Sequence, residues 1–184
     1  MDEHRQQLVE VAIPVHNEEQ VLEASVCRLH GHLDATLTQS WRIVVVDNAS
    51  TDATWTVAQR LEQTIPNVHA LRLSEKGRGR ALKAAWMASD AEVVSYMDVD
   101  LSTSLDHFLP LVSPLLAGES DVAIGSRLLP TSNTRRQLKR EILSRTYNTL
   151  IHIGFSAGFS DAQCGFKAIT KAAAQRLLPQ VEDT

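Results

Sequence analysis

Two aspartates separated by one residue, Asp98-Val99-Asp100, follow the apolar stretch Val93-Val94-Ser95-Tyr96-Met97 and are the sharpest chemical signal in the chain. Like charges held this close are costly unless a cation lies between them. Mg2+ or Mn2+ suits the place, because a hard divalent ion takes one or two protein carboxylates and completes its shell with water and substrate phosphates. Such triplets also occur in surface loops. The position at the end of an apolar run favours the metal reading, with Asp98 and Asp100 as ligands.

Asp47 ends a second apolar run, Ile43-Val44-Val45-Val46, and sits too early to cap the helix that follows. A carboxylate there can accept hydrogen bonds from the N–H groups of a nucleobase, with Pro14 fixing the first loop and Asn17 and Glu18 adding polar contacts. Ser50, Thr51 and Asp52 read instead as helix-capping residues. Lys76-Gly77-Arg78-Gly79-Arg80 offers glycines that let backbone N–H groups approach an anion at a helix N-terminus. It is neither a Walker A loop nor a GxGxxG fingerprint, so a phosphate contact by Lys76 or Arg80 and a solvated turn both stay open. His16 alone among the histidines falls near these residues.

The elements that must position these groups follow from periodicity. Short β-branched runs at Leu8–Val15, Trp41–Val46, Val68–Leu73, Val93–Met97 and Asp121–Gly125 alternate with helical patterns at about Glu19–Leu37, from Asn48 to Gln63, at Arg80–Ser89 and at Leu105–Leu116. That alternation is the signature of an α/β domain with a mostly parallel sheet. A loop at Leu128–Thr134, a helix at Arg136–Ile153, a strand at Gly165–Thr170 and a helix at Lys171–Leu178 complete the pattern. Ligands of such sheets bind outside the carboxyl ends of the strands, and four predicted ends carry Asn17-Glu18, Asp47-Asn48, Asp98-Asp100 and Ser126-Arg127.

The chain has 184 residues, 43% hydrophobic and 22% charged, with a net charge of −4, which excludes a disordered chain. No run approaches a membrane span, and Met1-Asp2-Glu3-His4-Arg5 lacks the apolar run of a signal peptide. Cys27 and Cys164 form no metal motif and read as free thiols of a reducing compartment. Aromatic residues make up 5% of the chain, and no basic aromatic strip points to nucleic acid. Arg127–Arg145 holds six cations and one anion, which fits either an anionic partner or a solvated helix face.

Val11-Ala12-Ile13-Pro14-Val15-His16-Asn17-Glu18-Glu19, Val44-Val45-Val46-Asp47-Asn48-Ala49-Ser50-Thr51-Asp52, Tyr96-Met97-Asp98-Val99-Asp100-Leu101-Ser102, Ile124-Gly125-Ser126-Arg127 and Ser160-Asp161-Ala162-Gln163-Cys164-Gly165-Phe166-Lys167-Ala168 together resemble family 2 glycosyltransferases. The closest subgroup is that of the polyprenyl-phosphate sugar transferases. The resemblance implies a GT-A fold, a Rossmann-like three-layer α/β/α arrangement, a nucleotide-sugar donor such as UDP-glucose or GDP-mannose, and Mg2+ or Mn2+. It implies Pro14, Asn17, Glu18 and Asp47 as nucleotide-binding residues, Asp98 and Asp100 as the metal-diphosphate pair, and Arg127 and Arg140 as the holders of an acceptor phosphate. Asp161 either orients the acceptor, acts as a base or caps a loop. Ser102 stands where many relatives have a metal-reaching Gln, and Asn48 where many have a second Asp.

The resemblance further implies inverting transfer of a hexose to polyprenyl phosphate at the cytoplasmic face of a membrane, by a protein bound there peripherally or through a C-terminal region beyond residue 184. Relatives continue past Val181-Glu182-Asp183-Thr184, so residues 1–184 are expected to be one catalytic domain truncated at its C-terminus. Competing readings are a family 2 transferase acting on a saccharide hydroxyl and a catalytically silent nucleotide-sugar-binding module. A sugar-1-phosphate nucleotidyltransferase is disfavoured by the absence of a Gly-rich first loop.

Overall fold

The computed structural model describes residues 7–125 and 165–180. Strands β1 (Leu8–Val15), β2 (Ser40–Asn48), β3 (Val68–Leu73) and β4 (Val93–Met97) alternate with helices α1 (Leu22–Thr36), α2 (Thr54–Thr64) and α3 (Arg78–Ala88). A 3-10 turn at Leu105–His107 then leads into α4 (Phe108–Leu116), followed by β5 (Val122–Ile124), β6 (Phe166–Thr170) and α5 (Lys171–Leu177). The expected helix Arg136–Ile153 lies outside the described residues.

The sheet order is β3-β2-β1-β4-β6-β5, with β1 parallel to β2 and β4, β2 parallel to β3, and β6 antiparallel to both β4 and β5. The sheet is therefore mostly parallel, as the alternation predicts. Chain order runs outward from β1 through β2 to β3, then switches to β4 on the other side. That reversal opens a crevice between the carboxyl ends of β1 and β4, where ligands of doubly wound sheets bind.

Both sheet faces are covered. On one, Val9, Val11 and Ile13 pack in the core that contains Leu22, Val26, Leu29 and Leu33 of α1, Leu61 of α2 and Phe108 and Val112 of α4. The α1 residues recur at helical spacing and are fully buried, each contributing roughly 1.5–3 kcal/mol. On the other face Ala12 and Val46 meet Ala81 and Ala85 of α3, and Val94 and Ile169 meet Ala173 and Ala174 of α5. The result is three α/β/α layers.

Several boundaries move for identifiable reasons. Helix α1 starts at Leu22 rather than Glu19, because the Glu18 N–H donates to Thr54 Oγ1 and the Glu19 carboxylate accepts the Ala53 N–H, drawing both residues toward the next loop. Strand β2 runs to Asn48, since its ladders continue through Val15↔Asp47 and Asp47↔Arg72. Helix α3 begins at Arg78 rather than Arg80, with the Gly77 carbonyl accepting the Ala81 N–H.

Glu10 of β1 is 2% exposed on the α3 face. Arg42 Nε donates to its Oε2 at 2.6 Å, the Ser89 hydroxyl donates to the same oxygen at 2.8 Å, and Arg42 also pairs with Asp90 at 2.6 Å. A buried carboxylate is tolerated only with such partners. Replacing Arg42 by Met leaves Glu10 without its cation and is expected to cost about 3 kcal/mol, read as a lowered urea midpoint at unchanged slope.

Candidate functional site

The turn after β4 is anchored by its apolar members. Val99 and Leu101 are 8% and 6% exposed and belong to the core, which leaves Asp98 and Asp100 turned outward. The turn closes through the Leu101 N–H to Asp98 O at 3.1 Å and the Ser102 N–H to Asp100 Oδ1 at 3.0 Å. Leu101 adopts φ +45°, a left-handed conformation that costs a leucine about 1 kcal/mol or more and persists because the side chain is locked in the core. Asn17 and Ala49, in the loops after β1 and β2, both take φ +57°, so backbone strain recurs at the same end of the sheet.

Asp98 is held from three sides. The Tyr96 hydroxyl, two residues earlier on the same strand, donates to Asp98 Oδ1. Burial pushes the Tyr96 phenol well above its ordinary value; the hydrogen bond to Asp98 and the charges of Asp98 and Asp100 add to this, against the opposing Arg78. Tyr96 is thus a fixed proton donor at neutral pH. Arg78 Nη1, at the start of α3, lies 3.7 Å from Asp98 Oδ1. The third side is Gly165: the Met97↔Phe166 pairing continues so that Asp98 falls beside it, and a Cβ there would lie 1.8 Å from Asp98 Oδ2. Only glycine leaves that carboxylate its place.

A second cluster surrounds Asp47, whose side chain is fully buried at the end of β2. Its Oδ1 accepts the Ser50 N–H at 3.2 Å. Its Oδ2 receives no hydrogen bond among the described residues, although Arg72 Nε approaches to 3.3 Å as an ion pair without hydrogen-bond alignment. A buried acceptor in that state costs roughly 1–3 kcal/mol until a donor reaches it. Arg72 also lies over the Trp55 ring, its guanidinium carbon 5.4 Å from the centroid. An open cleft of about 510 Å³ beside these groups is lined by Ala49, Ser50, Arg72, Leu73 and Ser74.

The remaining sequence-derived residues divide. Pro14 pairs with Val46 near the end of β1. Asn17 and Glu18 stitch the first two loops together: Asn17 Oδ1 accepts the Thr51 N–H at 2.9 Å, the Asn17 N–H donates to Ser50 Oγ, and the Glu18 N–H donates to Thr54 Oγ1. Ser50 thus ties loops rather than capping α2, while Asp52 takes the Thr54 N–H and hydroxyl one residue before the N-cap, Ala53. His16 Nδ1 lies 3.0 Å from Asn48 O. Lys76 is exposed, and Arg80 pairs with Glu75, whereas its neighbour Arg78 approaches Asp98. Arg127, Arg140 and Asp161 lie outside the described residues.

Tyr96, Arg78, Gly165, Arg72 and Trp55 complete the site and are absent from the sequence-derived set. The signal for Tyr96 was its same-face spacing from Asp98; Arg72 and Gly165 needed the strand pairing. The two outward carboxylates of one turn fit a divalent ion that draws its other ligands from water and phosphate. Among the described residues no third Asp, Glu, His or Cys joins them in a metal-holding group. Ser102 spends its N–H on Asp100.

The fold and site together define a doubly wound α/β protein with acidic and amide groups gathered at the carboxyl ends of its strands. The sequence profile described as Glycosyl transferase family 2 matches residues 10–178, and the chain belongs to that family. It is 33% identical over 177 residues to Glycosyltransferase AglD of Haloferax volcanii, covering 95% of this chain and 28% of that protein. It is 31% identical over 173 residues to Polyprenol monophosphomannose synthase of Mycolicibacterium smegmatis, covering 91% of this chain and 63% of that one. Glucosyl-3-phosphoglycerate synthase from Mycobacterium tuberculosis, solved with Mn2+, UDP-Glc and phosphoglyceric acid, superposes with a TM-score of 0.66 at 22% identity, over 90% of this chain and 57% of that chain. The likeness to that structure is one of fold, and the fold is of the GT-A type.

The contact between Gly165 and Asp98 gives a direct test. In Gly165→Ala the obstructing atom is the tip of a side chain, so the fold is retained within about 1.5 kcal/mol while Asp98 rotates off the Tyr96 hydroxyl. A changed Tyr96 ring-carbon NMR shift with little change in melting temperature is the expected result.

Proposed function

We propose that this chain is the catalytic domain of a transferase that moves a hexose from a nucleoside-diphosphate sugar to polyprenyl phosphate, with inversion at the anomeric carbon and with Mg2+ or Mn2+. The observation that carries this reading is the pairing of a buried, under-satisfied acceptor, Asp47, with two outward carboxylates, Asp98 and Asp100, at the same edge of one sheet. The first suits the N–H of a base and the second a metal-bound diphosphate, the two ends of a nucleotide sugar. Membership of the family and the likeness to the mycobacterial polyprenol monophosphomannose synthase support a lipid-phosphate acceptor.

A divalent ion, when bound, neutralises charge on the diphosphate leaving group. Asp98 and Asp100 would hold it. Tyr96 and Gly165 fix the Asp98 carboxylate, and Arg78 brings a guanidinium to the same place, suited to phosphate oxygens once it leaves Asp98. A polyprenyl phosphate is already an anion at neutral pH, so its oxygen attacks without a strong base. Arg127 and Arg140 are assigned to hold that phosphate in line for attack, and Asp161 to orient it. No helix among the described residues is long and apolar enough to cross a membrane. A lipid acceptor would bring the protein to a membrane surface, which we assign to the cytoplasmic face.

Incubation with radiolabelled nucleotide sugar and a short polyprenyl phosphate is expected to yield a labelled glycophospholipid; product with a free saccharide and none with the lipid overturns the acceptor. Asp100→Ala is expected to weaken metal-dependent donor binding by about a hundredfold in calorimetry. Arg127→Ala is expected to leave donor affinity within about twofold and to lower transfer by roughly ten- to a hundredfold.

A further inference from the structure

We infer that Tyr96 is a positioning residue that sets which divalent ion the acidic turn accepts: by bonding one oxygen of Asp98 it favours a small six-coordinate ion, Mn2+ or Mg2+, over Ca2+. This rests on the reading of Asp98 and Asp100 as metal ligands given above. Each carboxylate of the turn has one oxygen engaged by a nearby donor. Asp98 Oδ1 accepts the Tyr96 hydroxyl, and Asp100 Oδ1 accepts the Ser102 N–H at 3.0 Å. Asp98 Oδ2 occupies the space that a Cβ at residue 165 would take, so this carboxylate is seated on both sides. The donor that holds it is itself fixed, since Tyr96 is 5% exposed in β4, paired with Ala12 of β1 on one side and Lys167 of β6 on the other. Neither Asp98 nor Asp100 can turn both oxygens to one ion without breaking one of these bonds.

The consequence differs between ions. A small ion of the Mg2+ kind binds about six oxygens at roughly 2.0–2.1 Å, one or two of them from carboxylates and the rest from water and phosphate. Ca2+ gathers about six to eight oxygens at roughly 2.3–2.6 Å and draws on carboxylates that swing to give it both. Two carboxylates that each offer one oxygen suit the first ion and leave the second short of protein ligands. The lock on Asp100 is a backbone N–H, which a substitution of Ser102 does not remove, so Tyr96 is the side chain on which the selectivity turns. Without its hydroxyl, Asp98 Oδ1 keeps Arg78 Nη1 at 3.7 Å, from a side chain 71% exposed, and the carboxylate is free to turn.

Titration of the chain with Mn2+ alone, followed by the electron paramagnetic resonance signal of the free ion and repeated with Ca2+ as competitor, tests this. The parent is expected to bind Mn2+ at least about tenfold more tightly than Ca2+. Tyr96→Phe is expected to weaken Mn2+ by about tenfold and Ca2+ by less than about twofold, so that the preference falls by about fivefold or more. Arg78→Gln removes a charge from beside the same oxygen and is expected to tighten both ions alike, with the preference kept within about twofold. Equal affinity of the parent for the two ions, equal weakening of both in Tyr96→Phe, no change of either there, or an equal fall of the preference in Arg78→Gln overturns the inference and leaves the metal reading intact. Absence of any Mn2+ binding that Asp100→Ala removes overturns both.

Discussion

A pair of carboxylates can stand at the edge of an apolar sheet only if the residues between and beyond them are anchored. In this protein Val99 and Leu101 supply the anchor, buried in the core under α4 while Asp98 and Asp100 face out. The left-handed Leu101 is the strain that this alternation imposes, held in place by apolar burial worth more than the strain. The remaining contacts of the turn refine a geometry that the core has already set.

The second constraint is topological. Reversal of strand order opens a crevice between β1 and β4, and the acidic turn after β4 and the cleft at the ends of β2 and β3 lie along the same carboxyl edge of the sheet. Antiparallel β6 then closes the far side of the acidic turn and brings Gly165 against Asp98. The opposite end of the sheet is held by the ion pairs and hydrogen bonds that Arg42 and Ser89 make to Glu10 Oε2 and that Arg42 makes to Asp90.

Much of this was legible in the sequence because it is local. β1, β3 and β4 follow from β-branched runs that need no partner to be recognised, and Asp98 and Asp100 stand out by spacing alone. What was not legible depends on register between distant segments. Asp47 reads as a loop residue until the ladders with β1 and β3 extend β2 through it and bring Arg72 alongside. Gly165 reads as the start of a strand, and its role as a seat for Asp98 needs a pairing across 67 positions. Arg80 looked as able as Lys76 to meet an anion, but the helix starts two residues early, turning Arg80 to Glu75 and Arg78 toward Asp98. The tie from Asn17 Oδ1 and the Glu18 backbone N–H to the loop after β2 likewise needs the fold to be seen.

One sheet edge is proposed to hold both ends of a nucleotide diphosphate, with the metal-bound end at the Asp98–Asp100 turn. A crystal structure of the chain with Mn2+ and UDP tests it most directly. The ion is expected at the Asp98–Asp100 carboxylates beside the diphosphate, with the base against Asp47; an ion ligated elsewhere, or a nucleotide lying away from β2 and β4, is the opposite result.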